Sequence, residues 1–197
     1  MTYYTVTEVR AEGRRAGSVV FGGAREALRK SAKLDSYDIF LSHSFRDAEI
    51  ILGVKKILER SGRTVYVDWI EDAQLDRSSV TAETADLLRR RMKQSLSLVY
   101  AYSESSTTSK WMPWELGYFD GYRSGQSIGI MPLVSGPGVK PAGQEYLGLY
   151  PRVEELKSES GRLLPYVVRG PGDGTQWKSL EDLGRATSSF KRLANGR

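Results

Sequence analysis

Cysteine is absent from the 197-residue sequence, and histidine occurs only once, as His43. Without cysteine there is no disulfide, no thiolate nucleophile and no cysteine-ligated zinc, which suits a cytoplasmic protein. One histidine excludes a histidine-rich metal site, so we predict no metal, and it allows a Ser-His-Asp triad only around His43. No apolar run approaches ~20 residues, so we expect no membrane-spanning helix. The early acidic and polar residues also argue against a secretory signal.

The charge pattern gives no sign of a nucleic-acid partner. The formal net charge is +5 and the pI is about 9.4, but the charges are scattered along the chain. The densest basic group, at positions 89–93, falls at the predicted end of a helix, where cations complement the helix dipole. A solvated helix end explains this group better than a nucleic-acid site does.

Length and composition are those of a globular domain that folds without disulfides or metal. We predict a central domain over residues 35–150 with an N-terminal extension over 1–34. The segment 151–197 is predicted as a C-terminal extension that completes the same domain with an edge strand near 163–168 and an amphipathic helix from about Ser179. The N-terminal segment shows a β-like run at 3–7, a glycine-punctuated stretch and a weak helical pattern near 24–34.

From residue 37 onward, short apolar runs alternate with amphipathic stretches, which predicts βαβ units and a parallel sheet. Right-handed crossovers then place helices on both faces. The predicted fold class is α/β, a three-layer arrangement with a mainly parallel central sheet of about five strands. The predicted strands are 37–42, 64–69, 95–103 and 127–134, and the predicted helices are 48–60, 81–93 and one that begins near 111.

The segment 109–122, SKWMPWELGYFDGY, concentrates aromatic residues around one acid. Pro113 fits the first turn of a helix, and Trp111 and Glu115 then share a helix face. Ligands of open α/β sheets bind outside the carboxyl ends of the strands. By that rule we expect this helix start to lie close to the polar segments 43–47, 68–80 and 103–109, each of which follows a predicted strand.

Each residue in these segments that could bind or react with a ligand could instead have only a structural role. Glu115, near the third helical position, is either a reactive acid or a helix cap. Trp111 and Trp114 are either ligand platforms or packing residues. Arg46 either binds a pyrophosphate or pairs with a neighbouring acid. His43 either lines a ligand-binding pocket or is only the residue at which the first strand ends. Trp69 has the same choice between stacking on a ligand and packing, and the hydroxyl-rich run at 103–109 is mainly loop and cap material.

Four segments, in order and at plausible spacings, carry a family resemblance. They are YDIFLSHS at 37–44, FRD at 45–47, VYVD at 65–68 and SKWMPWEL at 109–116. The chain resembles a Toll/interleukin-1 receptor (TIR) domain, whose first strand, Phe-Arg loop, second strand and Trp-x-x-x-Glu helix these segments match. The likeness covers about residues 36–134, so residues 1–34 and 150–197 lie outside it.

The resemblance implies a flavodoxin-like fold and, as in the bacterial stand-alone members, cleavage of NAD+ at the nicotinamide–ribose bond. NAD+ is then the substrate, with no further cofactor, and Glu115 is the catalytic carboxylate. The residues carried over or chosen as substrate contacts are His43, Ser44, Phe45, Arg46, Trp69, Ser105 and Trp111. The product would be ADP-ribose or a cyclised relative that activates a separate effector in antiphage defence.

The resemblance also implies self-association through the 70–80 loop and neighbouring helices, because family members often complete the active site across two subunits. Two alternatives remain open at this point. One is a non-enzymatic TIR–TIR adaptor, which does not need Glu115. The other is a nucleotide-sensing domain that binds a phosphate near Arg46.

Overall fold

The strand at 37–42 lies inside a sheet between two parallel neighbours, as its apolar run predicted. The computed structural model describes residues 2–19, 23–29, 34–44, 47–68, 81–103, 106, 108–123, 125–170, 175–185 and 189–192. Within these ranges the sheet has nine strands and five α-helices pack on it or near it.

The strands are β1 (Tyr4–Thr5), β2 (Tyr37–Ser42), β3 (Val65–Tyr66), β4 (Ser95–Tyr102), β5 (Ile128–Val134), β6 (Arg152–Lys157), β7 (Leu163–Arg169), β8 (Gln176–Ser179) and β9 (Lys191–Arg192). The helices are α1 (Val6–Ser18), α2 (Gly23–Arg29), α3 (Ala48–Glu59), α4 (Ala82–Lys93) and α5 (Trp111–Arg123). Short 3₁₀ helices occupy Gly125–Ser127, Glu145–Leu149 and Leu180–Asp182.

The strand order is β3-β2-β4-β5-β6-β7-β8-β9, and β1 pairs with the end of β5. All pairs from β3 to β6 are parallel, as is the β1–β5 pair, while β6 to β9 are antiparallel. The predicted α/β class with a mainly parallel sheet is confirmed. The sheet is larger than the five strands expected, because β1 pairs with the end of β5, β6 adds a parallel strand, and β8 and β9 add antiparallel strands beyond β7.

Helices cover both faces of the parallel part. One apolar cluster joins the sheet to α1 and α3 through residues such as Val9, Ile51 and Leu58. The other joins it to α4 and α5 through Leu88 and Phe119. Each large apolar side chain buried in this way stabilises the fold by roughly 1.5–3 kcal/mol relative to exposure. Because both faces are covered, β2, β4 and β5 are apolar almost throughout.

The helix α1 was not predicted, although the β-like run before it is partly present as β1. Thr5 and Glu8 form a capping box, in which the Thr5 hydroxyl accepts from the Glu8 N–H and the Glu8 carboxylate accepts from the Thr5 N–H. Gly13 and Gly17 weaken the helical signal of this segment in the sequence, because glycine disfavours helices. They are buried in the helix contact that α1 makes, so packing outweighs the poor propensity.

The prediction of an amphipathic helix from about Ser179 is wrong for the residues that the structure describes. Ser179 ends β8, a single 3₁₀ turn follows, and β9 lies further on. Leu180 and Leu183 are buried as a helix stripe would be, but Gly184 turns the chain with a positive φ of 83°. Apolar spacing therefore identified core residues but not their secondary structure.

The strand at 163–168 is present as β7, but it is not an edge strand. It pairs with β6 along its whole length and with β8 from Tyr166 onward. Pro165 lies just before the part that β8 covers, so its missing N–H costs no hydrogen bond on that side. Pro165 therefore lies in the part of β7 that is unpaired on the β8 side, although β7 as a whole lies inside the sheet.

Candidate active site

The carboxyl ends of β2 and β4 meet at the point where the sheet changes its winding direction. β3 lies on one side of β2, while β4 and β5 lie on the other. A crevice forms at such a point and is the usual ligand position in an open α/β sheet. Ser42, the last residue of β2, is in register with Tyr100 of β4. The candidate site is built on this pair.

Glu115 is fully buried, with 0% exposure, and its carboxylate reaches the end of β2. The Ser42 hydroxyl donates a hydrogen bond to Glu115 Oε2 at 2.5 Å. A buried carboxylate is costly unless hydrogen bonds compensate for the lost water. A hydroxyl fixed on a central strand supplies one such bond and also sets the direction in which the carboxylate points.

The alternative that Glu115 caps its helix is wrong. The helix α5 begins at Trp111, so Glu115 is its fifth residue, and no acid lies in the first turn. The Ser109 hydroxyl accepts from the Met112 N–H at 3.3 Å instead. Because the unpaired N–H groups of a helix lie in its first turn, the Glu115 carboxylate has no capping role to explain its burial.

Tyr100 is in register with Ser42 and lies within electrostatic range of the Glu115 carboxylate. Burial, first of all, raises the pKa of the Tyr100 hydroxyl well above its ordinary value, and the neighbouring Tyr146 hydroxyl and the Glu115 carboxylate raise it further. A phenol with a raised pKa remains a hydrogen-bond donor at neutral pH. The site therefore combines an acid with a neutral hydroxyl donor.

His43 and Asp68 form a second buried contact at the same edge of the sheet. His43 Nε2 lies 3.3 Å from Asp68 Oδ1, and the two side chains are 4% and 2% exposed. His43 follows β2 directly, and Asp68 comes two residues after β3. The pair links the carboxyl ends of these two strands, so His43 is buried at this edge of the sheet, and its contact with substrate stays a prediction.

The remaining predicted contacts fall into two groups. Trp111 is 6% exposed and starts α5, one turn before Glu115, while Ser44 is half-buried beside His43. Four predicted contacts and the proposed assembly loop lie outside the described residues: Phe45, Arg46, Trp69, Ser105 and residues 70–80. Their assignments stay predictions.

The two tryptophans of α5 have different surroundings. Trp111 belongs to the apolar cluster between the sheet, α4 and α5, and its ring meets Trp114 edge-on at 5.4 Å. Trp114 is half-buried, stacks on Tyr118 at 5.8 Å and carries the Arg89 guanidinium over its ring at 5.3 Å. Packing partners therefore occupy Trp114 on more than one side.

The sequence did not single out Ser42, Tyr100 or Asp68 as site residues. Ser42 and Asp68 carried a recognisable signal, because each is a polar residue at the end of an apolar run whose carboxyl end borders the crevice. Tyr100 carried none, because its role depends on its register with Ser42 and on its distance from Glu115.

Neither a metal centre nor a membrane span is found within the described ranges. No group of three or more acidic or histidine residues there is arranged to hold a metal ion. None of the helices described is long and apolar enough to cross a membrane.

This geometry suits the stabilisation of a positive charge that develops on a bound sugar. A carboxylate held by a hydroxyl and shielded from water interacts strongly with a nearby cation, because the local dielectric is low. Glycosidases use carboxylates in the same way against an oxocarbenium-like transition state.

Comparison with known proteins identifies the family. No family model matches the chain. Over 129 residues it is 56% identical to a Bacillus cereus protein named as a probable 3' cyclic ADP-D-ribose synthase, ThsB', covering 65% of this chain and 66% of that protein. Over 83 residues it is 34% identical to a Cytobacillus dafuensis protein whose name reads "Putative cyclic ADP-D-ribose synthase TIR2", covering 42% of this chain and 22% of that protein.

The chain belongs to the bacterial TIR-domain proteins. The resemblance read from its four segments is thereby confirmed. The matches span just under two thirds of one relative and about a fifth of the other. In this TIR domain the Trp-x-x-x-Glu segment forms the start of α5 and directs its acid toward Ser42 at the end of β2.

Proposed function

We propose that this TIR-domain protein cleaves NAD+ at the nicotinamide–ribose bond and produces a cyclic ADP-ribose. The observation that carries the proposal is the fully buried Glu115 carboxylate, fixed by the Ser42 hydroxyl at the crevice of the sheet. The names of both relatives, which describe cyclic ADP-D-ribose synthases, support the same reaction.

In the proposed reaction, the bond between the nicotinamide nitrogen and ribose C1′ breaks, and neutral nicotinamide leaves with the electron pair. The ribose becomes oxocarbenium-like, and the Glu115 carboxylate stabilises its charge and accepts hydrogen bonds from ribose hydroxyls. Attack by water at C1′ releases ADP-ribose and a proton. Attack by a group of the adenosine half releases a cyclic product and a proton. NAD+ is the substrate, and this chemistry needs no further cofactor.

We further propose a signalling role in the cytoplasm, where the product activates a separate effector during antiphage defence. A small diffusible product suits a chain whose described helices show no membrane span. Self-association through residues 70–80 and the neighbouring helices would complete the site. In that case the specific activity should rise with protein concentration, and activity that is constant over a wide dilution range would contradict it.

The function is tested by incubating purified protein with NAD+ and measuring nicotinamide release by chromatography. Glu115→Gln keeps the size and the hydrogen-bonding capacity of the side chain but removes its charge. We expect nicotinamide release to fall by at least about 100-fold, the usual effect of removing such a charge-stabilising group.

The matched control is Glu154→Gln, which neutralises another buried carboxylate on β6, three strands along the sheet from β2. Glu154 is 4% exposed and accepts from Arg152 at 2.7 Å. This variant should keep its nicotinamide release. If Glu115→Gln retains full activity, Glu115 is not catalytic. If the wild-type protein releases none at any concentration, the adaptor function, which needs no buried acid, becomes the better account.

A further inference from the structure

Two buried carboxylates contact two consecutive residues at the carboxyl end of β2. The Glu115 carboxylate, from α5, accepts from the Ser42 hydroxyl at 2.5 Å. The Asp68 carboxylate, two residues after β3, lies 3.3 Å from His43 Nε2. Both acids are excluded from water, since Glu115 is 0% and Asp68 1% exposed. The proposed reaction uses Glu115 but gives no role to Asp68.

The strand pairing does not extend equally far on the two sides of β2. On the β4 side the register continues to Ser42, the last residue of β2. On the β3 side it stops at Phe40, two residues earlier. Beyond Phe40, the contact between His43 and Asp68 connects the two chain segments. A side-chain contact therefore continues the β2–β3 pairing at the edge of the sheet where the candidate site lies.

The contact also specifies the state of the imidazole. A nitrogen lone pair that faced an ionised carboxylate at this distance would be repelled, so Nε2 of His43 carries a proton in the contact. Nε2–H is present both in the imidazolium and in one of the two neutral tautomers. A carboxylate that holds one ring nitrogen in this way sets the tautomer and the orientation of the ring. Asp68 therefore determines how His43 lies at the end of β2.

The orientation of His43 bears on the proposed chemistry because a peptide bond joins it to Ser42. A shift of the chain at His43 would change the direction of the Ser42 hydroxyl, and with it the Glu115 carboxylate that this hydroxyl holds. Misplacing a reacting group by about 1 Å can lower a rate about 100-fold. Asp68 can therefore act on the acid without touching either the acid or the substrate.

We propose that Asp68 is a positioning residue, which fixes the His43 imidazole through Nε2 and so holds the end of β2 from which Ser42 directs Glu115. The inference rests on the proposed function, in which Glu115 stabilises the oxocarbenium-like ribose. Asp68 itself takes no part in bond breaking or in proton transfer.

The first test is steady-state nicotinamide release by Asp68→Asn, which keeps the size of the side chain and an accepting oxygen but removes the charge. We expect kcat to fall about fivefold, because an N–H group interacts roughly twice as strongly with an ionised acceptor as with a neutral one. KM should change less than about twofold. Asp68→Ala removes the acceptor and should lower kcat at least about tenfold. If Asp68→Ala does not fold, the asparagine variant decides.

The second test is nuclear magnetic resonance of the imidazole, which needs no substrate. His43 is the only histidine in the chain, so the signals of protein labelled with ¹⁵N-histidine belong to this residue alone. We expect the wild-type protein to show a protonated Nε2 whose hydrogen exchanges slowly with water. Asp68→Asn should shift the Nε2 signal and raise the exchange rate at least about fivefold.

The matched control is Asp38→Asn, which makes the same change at the other end of the same two strands. Asp38 lies on β2 and accepts from the N–H of Thr64, just before β3, at 2.8 Å. This variant should lose stability, but it should keep the kcat, the KM and the His43 signals of the wild-type protein.

The proposal is overturned if Asp68→Asn matches this control in kcat or in the His43 signals. A rise in KM at constant kcat would also overturn it, since Asp68 would then act on substrate binding and not on the acid. A wild-type protein that releases no nicotinamide would remove the proposed function. The His43 signals would still support or overturn the fixing of the imidazole by Asp68.

Discussion

At the scale of single residues, the site depends on one hydrogen bond between residues 73 positions apart in the chain. Ser42 is fully buried at the end of β2, so its hydroxyl has little freedom to turn away from Glu115. Hydrogen bonds to a charged acceptor are stronger than those between neutral groups. We therefore assign Ser42 the role of positioning the Glu115 carboxylate.

Replacing Ser42 with alanine should lower kcat by roughly 10- to 100-fold, because a hydrogen bond to a charged group contributes about 1.5–3 kcal/mol. KM should change little, since Ser42 is expected to orient the acid and not to bind substrate. The measurement is steady-state nicotinamide release over a range of NAD+ concentrations.

Ser97→Ala is the control for that substitution. Ser97 is also buried on a central strand, but its hydroxyl donates to the Asp38 backbone carbonyl at 2.8 Å and not to the site. It should lose some stability and keep its kcat. A Ser42 variant with wild-type kcat, or one that loses activity only in proportion to its loss of folded protein, would remove the positioning role.

At the scale of elements, the contact between α1 and α3 requires glycine at the crossing. A β-carbon added at Gly13 would lie 1.8 Å from the Glu49 carbonyl oxygen, and one at Gly53 would lie 1.9 Å from that of Val9. Both distances are far shorter than any real contact, and both obstacles are backbone. The two helices therefore approach each other closely through two small residues, one on each helix.

Gly13→Ala should destabilise the protein by about 1–3 kcal/mol, the usual cost of overpacking a close contact. Urea unfolding followed by tryptophan fluorescence measures the free energy of unfolding. Gly121→Ala is the control, since Gly121 is exposed on α5 with no atom near an added β-carbon.

The control should be neutral or more stable by about 0.5–1 kcal/mol, because alanine favours helix. Equal stability of the Gly13 and Gly121 variants would show that α1 does not pack on α3 this closely in solution.

At the scale of the whole molecule, carboxylates hold elements together around the sheet. Asp38 on β2 accepts from the Thr64 N–H at 2.8 Å and from Arg63 at 2.8 Å, which fixes the approach to β3. Burial by itself would raise the pKa of Asp38, but these hydrogen bonds outweigh it and lower the pKa. The same balance lowers the pKa values of Asp47, the cap of α3, and of Glu59 near its end.

A carboxylate whose pKa is lowered by folding adds stability above its unfolded pKa and loses it as the pH falls through the lower folded value. The free energy of unfolding should therefore decrease below about pH 4, the unfolded pKa of Asp and Glu. Glu155 acts in the opposite direction, because burial, followed by the nearby Glu8 charge, raises its pKa despite Arg60.

Asp38→Asn should lower stability by about 1 kcal/mol at pH 7, and its difference from wild type should shrink as the pH falls below about 4. Urea unfolding at pH 7 and pH 3 measures this. Asp35→Asn, at an exposed position in the loop before β2, should differ little from wild type at either pH. A constant deficit for Asp38→Asn across this range would show that its charge is not the source.

Much of the parallel core was predictable because its residues obey strong local rules. The bounds of β2 match the prediction, and those of α3, α4, β4 and β5 differ from it by at most one residue at each end. These segments are buried on one or both sides. Burial requires apolar residues at the positions that face the core, and that pattern is visible in the sequence. The prediction was poorest for α1 and for the described residues 176–185 and 189–192, where glycines and short strands carry no such period.

Some residues of the candidate site were also predictable from the sequence and others were not. Glu115 and His43 were predictable, because each belongs to a segment with a distinctive residue pattern at a strand end or helix start. Ser42 and Asp68 were not chosen as site residues, although each is a polar residue at the end of an apolar run. Tyr100 was not chosen because its place at the site depends on its register with Ser42. The catalytic role of Glu115 itself stays a prediction until it is measured.

By itself, the sequence predicted the strands and helices of the parallel core within residues 37–134, the family resemblance, and the acid on which the proposed chemistry depends. The strands and helices follow from the spacing of apolar residues along the chain, whereas the role of Glu115 is implied by the family resemblance. Only the tertiary structure decided that Glu115 is buried against Ser42 and is not a helix cap. Hydrogen bonding and burial at the site arise between residues far apart in sequence, and no local pattern encodes those distances.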